Sequence, residues 1–296
     1  MRVLILGGSG MLGHKLWQIF SHHFDTHVTL RRPPPTCGAN LFDPARIRAG
    51  VTAEDFDSVA GAFAAVRPDV VVNCIGIVKQ DAAAKDPYQS IAVNALFPQQ
   101  LAGMCREASA RLIHISTDCV FSGRKGNYSE LDKPDAEDLY GRTKLLGEVD
   151  GENCLTLRTS MVGPELRGAH GLVEWFLGQR GKTVRGFKRA VFSGFTTRAL
   201  SAIITDIIVH QAELHGVWHV AAEPINKFDL LILLKEAYGL KIEIEPDETF
   251  ACDRSLDGAR FRAATAFVPP TWPEMIAAMR QDPTPYEHLR RLQIQR

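Results

Sequence analysis

The chain has 296 residues, long enough for one large domain or two unequal ones, and with 45% of them hydrophobic and 23% charged its composition is that of an ordinary globular protein. Its 34 basic side chains balance 34 acidic ones, so neither nucleic acid nor an anionic membrane is expected as a partner. Six scattered cysteines without a C-x-x-C pair, ten histidines without ligand spacing, and no apolar run of ~20 residues or signal-peptide pattern point to a cytoplasmic protein without a metal site.

Arg2 to Leu6 reads as a buried parallel strand. Gly7-Gly8-Ser9-Gly10-Met11-Leu12-Gly13 follows, and an amphipathic helix runs on to about His22. Between strand and helix the glycines have distinct uses: Gly7 permits a tight turn, Gly10 lets backbone N–H groups approach a pyrophosphate, and Gly13 lets the helix lie close to the strand. The helix N-terminus then faces the anion, so Gly7, Ser9, Gly10, Met11, Leu12 and Gly13 form an expected dinucleotide cradle. A second strand, His27 to Leu30, ends in Arg31-Arg32. An NAD site usually has an acidic residue here for the ribose 2′-hydroxyl. Two guanidinium groups suit the 2′-phosphate of NADPH instead, with NADH as a lesser cofactor. Asp43 is expected over the adenine, accepting from its amino group.

A helix from about Ala53 to Val66 leads to the apolar strand Pro68 to Asn73, whose end, Cys74-Ile75-Gly76, lies where open α/β sheets bind ligands. Asp86 to Ser109 reads as a helix kinked at Pro98. The strand Arg111 to Ile115 runs into Ser116-Thr117-Asp118-Cys119-Val120-Phe121, and a helix then carries Tyr140 and Lys144 on one face, four residues apart. A phenol beside an ammonium suits acid–base chemistry, because the positive charge favours the phenolate and lowers its pKa. Thr117 can aim a hydroxyl at the same substrate oxygen. Asn153 to Leu157 gives a further strand, ending in Arg158-Thr159-Ser160.

Strand and helix alternate, so residues 1–163 read as a doubly wound parallel sheet, a Rossmann domain for NAD(P). Residues 164–296 read as a smaller mixed α/β lid that binds substrate, with 192–222 returning to the first domain. In this half a helix is expected over 172–179, a loop over 191–197, a helix over 198–214, a strand over 216–221, a helix over 227–238 and a strand over 242–245.

The segments G-G-S-G-M-L-G, S-T-D-C-V-F-S-G with Y-G-R-T-K-L-L-G-E, L-R-T-S-M-V-G, and the tail R-S-L-D with P-P-T-W together resemble an extended short-chain dehydrogenase/reductase. Within that superfamily the chain is most similar to the dTDP-4-dehydrorhamnose reductase family of nucleotide-sugar enzymes, over nearly its whole length. The resemblance implies an NADPH-preferring reductase of a nucleotide-linked 4-keto-6-deoxy-sugar that serves surface polysaccharide synthesis. Tyr140 would protonate the C4 carbonyl oxygen and Thr117 would hydrogen-bond it. Lys144 would bind the nicotinamide ribose and lower the Tyr140 pKa. Asn94 matches a structural asparagine of the central helix, and Ser116 and Thr159 fall on the cofactor side. Lys79, Asp118, Cys119, Phe121, Arg254 and Trp272 fall on the substrate side, Arg254 towards a diphosphate and Trp272 towards sugar or base.

The chain also departs from that pattern. Cys119 stands where the family often has tyrosine, Asn73 to Gln80 replaces a small-residue segment, and Ser193 to Thr197 lacks a proline. These leave the sugar and the nucleotide open. An epimerase, or an epimerase/reductase, would need an extra acid/base pair, for which only Cys119 and Lys79 stand out. A non-catalytic NADP-binding subunit, like the regulatory subunit of methionine adenosyltransferase, would have no use for Thr117, Tyr140 and Lys144 together. A homodimer is the default assembly.

Overall fold

In the computed structural model, which describes residues 1–33, 41–166, 168, 171–287 and 289, the chain opens on strand β1 (Arg2–Leu6). Val3 to Leu6 are all buried, as a parallel sheet covered on both faces requires. Helix α1 (Gly13–Phe20) and strand β2 (Asp25–Leu30) complete the first crossover. Strand β3 (Ile47–Ala49) then lies on β2, too short and polar to leave a mark in the sequence. Helix α2 (Phe56–Val66) and strand β4 (Val70–Asn73) come next.

The long central helix is in three parts: α3 (Pro87–Ile91), a π-helical turn (Ala92–Leu96), and α4 (Phe97–Glu107). Pro98 has no N–H to give the carbonyl of Asn94, so the hydrogen-bond ladder widens just before it. The kink expected at Pro98 is therefore a π turn. Strand β5 (Arg111–Ile115), helix α5 (Leu139–Leu146) and strand β6 (Cys154–Arg158) follow.

Beyond them lie β7 (Met161–Val162), α6 (Leu172–Leu177), β8 (Thr183–Phe192), β9 (Phe195–Thr196), α7 (Thr197–His210) and β10 (Gly216–His219). The chain continues through β11 (Ile225–Asn226), α8 (Lys227–Tyr238), β12 (Glu243–Asp253), α9 (Ala259–Thr265) and α10 (Trp272–Arg280).

Seven strands form one sheet in the order β10-β6-β5-β4-β1-β2-β3, with every pair parallel. This is the doubly wound α/β fold. Chain order reverses between β1 and β4, which opens a crevice at the carboxyl ends of the strands. Gly7, Cys74, Ser116 and Thr159 each follow directly on a strand of that sheet, so all four stand along this one edge.

A second sheet, β11-β8-β12, lies under α8, with β8 and β12 parallel and their register broken between Asp247 and Ala251. One continuous core runs from Val3 and Ile5 through Ile204 of α7 to Leu230, Leu234 and Met275 of the second sheet's helices. The second sheet and its helices are thus packed onto the large sheet rather than tethered to it. Among the described residues, no helix is long and apolar enough to cross a membrane.

Candidate active site

The glycine loop is shaped by close contacts. Gly7 has φ +84°, and a Cβ on Gly13 would stand 2.2 Å from the Gly7 carbonyl oxygen, so a side chain there would push α1 off the loop. The Gly7 amide donates to Thr29 Oγ1 at 3.1 Å and the Gly8 amide to the Thr29 carbonyl at 2.9 Å, which lays the loop on β2. Helix α1 starts at Leu12 with no side-chain cap and no acidic residue in its first turn. Of its first amides, His14 donates to the Gly10 carbonyl at 3.2 Å and Lys15 to that of Leu12 at 3.0 Å, which leaves those of Leu12 and Gly13 to an anion, with bare backbone in front of them. Cys74 and Ile75 close the loop from the β4 side, where a Cβ on Gly7 would come within 3.2 Å of the Ile75 nitrogen. These residues fit a dinucleotide pyrophosphate. Arg31 and Arg32 are exposed just beyond β2, and residues 34–40 lie outside the described chain. Asp43 is otherwise engaged: it caps the 3₁₀ turn Pro44–Arg46, accepting from the Ala45 amide at 3.0 Å. Its Oδ2 lies 3.7 Å from Arg46 Nε.

Across the crevice, Thr117 begins the 3₁₀ turn Asp118–Val120, accepting from the Cys119 amide at 3.1 Å and donating to Asp118 Oδ1 at 3.2 Å. Helix α5 is started by Asp138, whose carboxylate accepts from the Gly141 amide at 2.8 Å. A glycine at each end lets the helix dock on backbone. A Cβ on Gly141 would lie 2.2 Å from the Cys119 carbonyl oxygen, and one on Gly147 1.9 Å from that of Asn94. Asn94 itself is buried and clamps the loop after β4, accepting from the Ile77 amide at 2.9 Å and donating to the Ile77 carbonyl at 3.0 Å.

Tyr140 is half-buried at the start of α5, and burial pushes its phenol up from the ordinary value of 10, with Cys119 adding to the rise and a hydrogen bond with Thr117 opposing it. Lys144, one turn on, is buried, and burial lowers its pKa to about 8 against the opposing pull of Glu148 and Cys74. Its Nζ donates to the Ile115 carbonyl at 2.8 Å. The expected lowering of the Tyr140 pKa by Lys144 is not found, because burial dominates at the phenol and the ammonium is held by Ile115. The Cys119 thiol is pushed up to about 12 by burial and by Asp118, so it is no base at neutral pH.

Two expected contact residues, Phe121 and Trp272, are corrected, and the others take the places given after them. Phe121 is fully buried, stacked on Tyr128 at 4.2 Å between ring centroids with Arg158 over its face, so it is a core residue. Trp272 opens α10 in the core, beside Phe192, with its indole N–H donating to the Glu223 carbonyl at 2.8 Å. The buried Ser116 hydroxyl donates to Glu148 Oε1 at 2.7 Å, and Glu148 is itself paired with Arg158. Lys79 is paired with Asp138 at 2.7 Å, so it supports the cap of α5. Thr159 is buried where β6 ends, and Asp118 is buried beside Thr117 with its pKa raised by that burial. Arg254 donates to the carbonyls of Phe121 at 2.8 Å and Ser122 at 3.5 Å, with Asp118 and Asp138 in its field.

Three residues of the site escaped the sequence. Lys227, the first residue of α8, lies over the Phe192 ring with Nζ 3.5 Å from its centroid. Burial lowers its pKa to about 8, opposed by Asp118, Cys119 and Cys252. Its position before an apolar helix carries no signal of this. Asn73 and His114 lie buried behind Lys144, and a signal existed there, since each is a polar residue inside an apolar strand.

A family model described as the RmlD substrate binding domain matches residues 1–283. A dTDP-4-dehydrorhamnose reductase of Streptomyces griseus is 37% identical over 148 residues, 50% of this chain and 43% of that protein. Methionine adenosyltransferase 2 subunit beta of Danio rerio is 31% identical over 148 residues, 50% of this chain and 42% of that protein. The matched segments span less than half the length of these curated relatives. A crystal structure of a hypothetical dTDP-4-dehydrorhamnose reductase from Sulfolobus tokodaii superposes with a TM-score of 0.75 at 27% identity, covering 92% of this chain and 98% of that one.

Proposed function

Because the chain belongs to the RmlD substrate binding domain family, we propose that it is a cytoplasmic, NADPH-preferring reductase of a nucleotide-linked 4-keto-6-deoxy-sugar, of the dTDP-4-dehydrorhamnose reductase kind, serving surface polysaccharide synthesis. The observation that carries this reading is the pairing of a bare glycine cradle with Thr117, Tyr140 and Lys144 across one crevice at the carboxyl edge of the sheet.

When bound, NADPH supplies the hydride. The protein's part is to bind, orient and move one proton. The Gly7–Gly13 loop and the start of α1 hold the pyrophosphate, with Cys74, Ile75 and Gly76 along the β4 side, and Arg31 and Arg32 hold the 2′-phosphate. Tyr140, whose pKa is raised, carries its proton throughout the neutral range and gives it to the carbonyl oxygen as negative charge develops there. Thr117, whose hydroxyl donates to Asp118 Oδ1 before substrate enters, turns that one proton to the same oxygen. Lys144 holds the ribose of the cofactor beside the phenol. From the lid, Lys227 and Arg254 set two cations facing Asp118, where the diphosphate of a nucleotide-sugar is held.

The test is a fluorescence titration with NADPH, followed by a small panel of dTDP- and UDP-linked 4-keto-sugars, with Tyr140→Phe alongside. NADPH is expected to bind and to be consumed with one sugar, and the variant is expected to bind it without turnover. Full turnover by Tyr140→Phe would sink the mechanism. A second reading, as a non-catalytic partner subunit, is favoured by the similarity to methionine adenosyltransferase 2 subunit beta over half of this chain. Tight NADPH binding without oxidation by any sugar would support it instead.

A further inference from the structure

Strands β4 and β5 bring two polar side chains together inside an apolar sheet. Asn73 and His114 are paired residues of the two strands, and both are fully buried. The orientation of the Asn73 amide is fixed, because its Oδ1 accepts from the Ile75 amide at 3.0 Å. Its Nδ2 therefore faces His114 Nδ1, at 3.1 Å. An amide nitrogen only donates, so Nδ1 of His114 accepts, and the single proton of the neutral imidazole sits on Nε2. That nitrogen lies 3.5 Å from Lys144 Nζ. An ammonium also only donates, so two N–H groups face each other there. The contact becomes a hydrogen bond when Lys144 is a neutral amine, whose lone pair can accept from Nε2–H.

We propose that Asn73 and His114 are positioning residues that select the neutral amine of Lys144, Asn73 by fixing the imidazole tautomer and His114 by presenting Nε2–H to Nζ. The inference rests on Lys144 belonging to the reductase site described above. Its consequence is that Lys144 exchanges its proton near pH 8 rather than near its ordinary 10.5. The surrounding charges are few. From β5 Lys144 meets His114 and the Ile115 carbonyl; Glu148, just past the end of α5, and Cys74, just past the end of β4, favour its charged form, and neither outweighs burial. Cys74 is itself pushed up to about 12 by burial and stays a neutral thiol. His114 is held far below its ordinary 6.5, first by burial and then by Lys144, so it is neutral when Lys144 titrates.

The first experiment is a two-bond ¹H–¹⁵N spectrum of the full chain labelled with ¹⁵N-histidine, recorded across neutral and alkaline pH, with His114→Phe to assign the resonance. The expected result is the Nε2–H tautomer throughout, with an Nε2 shift that follows a titration near the Lys144 value of about 8 and is lost in Lys144→Met. An Nδ1–H tautomer, or an imidazolium at neutral pH, overturns the proposal. The second experiment is Asn73→Asp, which should draw the imidazole proton to Nδ1 and turn the Nε2 lone pair to the ammonium. The Lys144 titration, read from its ¹³Cε shift, should then move up by about 1 pH unit or more. If the same upward shift appears when Asn73→Asp is made together with His114→Phe, charge alone is acting and the proposal fails. Should a variant not fold, the tautomer in the unmodified protein still decides. None of these readings needs a sugar substrate, so failure here is distinguishable from failure of the reductase assignment.

Discussion

Replacing Lys144 with methionine should make the protein more stable while removing its activity. The buried ammonium has a pKa of about 8 against an ordinary 10.5. At about 1.4 kcal/mol per unit, holding the charged form costs the folded state about 3 kcal/mol. Because the folded pKa is depressed, this stability is fully present above 10.5 and is lost as the pH falls through 8. The penalty is therefore complete at neutral pH. Lys144→Met keeps an unbranched chain of similar length but forfeits the bond to the Ile115 carbonyl, a loss of about 1 kcal/mol. The balance is a gain of about 2 kcal/mol at neutral pH, or about 3 °C in Tm for a chain of this size. Urea melts of both proteins near neutral pH and again near 10.5 would measure it, and the gain should give way to a small loss at the alkaline end, where only the missing bond to Ile115 is left. A variant less stable at neutral pH, or a gap that ignores pH, would refute the view that burial dominates at Lys144.

Gly147→Ala sets a Cβ 1.9 Å from the Asn94 carbonyl oxygen, backbone against backbone, so α5 must back away from the π turn. A loss of about 2–3 kcal/mol in melting and a fall in turnover are expected, since the same helix carries Tyr140. Arg31→Ala with Arg32→Ala should weaken NADPH binding by about 1.5–3 kcal/mol and leave NADH almost unchanged in a cofactor titration; an equal loss for both would count against a 2′-phosphate site. Trp272→Ala empties a position in the core and should cost about 3–5 kcal/mol in a melt, with no change in KM where the protein stays folded. A selective rise in KM would return Trp272 to the substrate wall.

What was legible in the sequence is what local pattern encodes. The runs Arg2–Leu6, Val70–Asn73, Arg111–Ile115 and Cys154–Arg158 are apolar because both faces of their sheet are covered, and they read as strands without further help. Gly7 and Gly13 stand between a strand and a helix, where the backbone contacts that demand glycine could be anticipated. Strand β8 was not legible. Gly186 and three basic residues interrupt it, and its long parallel partner β12 lies some 60 residues downstream, at Thr183 against Glu243, with no local signal of the pairing. Phe121 and Trp272 were misplaced for a related reason: an aromatic next to a motif looks the same in sequence whether it faces a ligand or a core.

Asn73 and His114 make the opposite case. Inside covered strands a polar side chain needs a partner, since burying it unpaired costs about 1–3 kcal/mol. Two such residues at the ends of neighbouring strands therefore imply each other once the register is known, and β4 pairs β5 at just those positions. A third polar group within reach, Lys144, is then drawn into the same set by the direction of the donors. The helix that carries Tyr140 and Lys144 is thus recognisable from that pair only together with the strand end at Thr117, and the groups proposed to govern the proton on Lys144 lie in the strands beneath it.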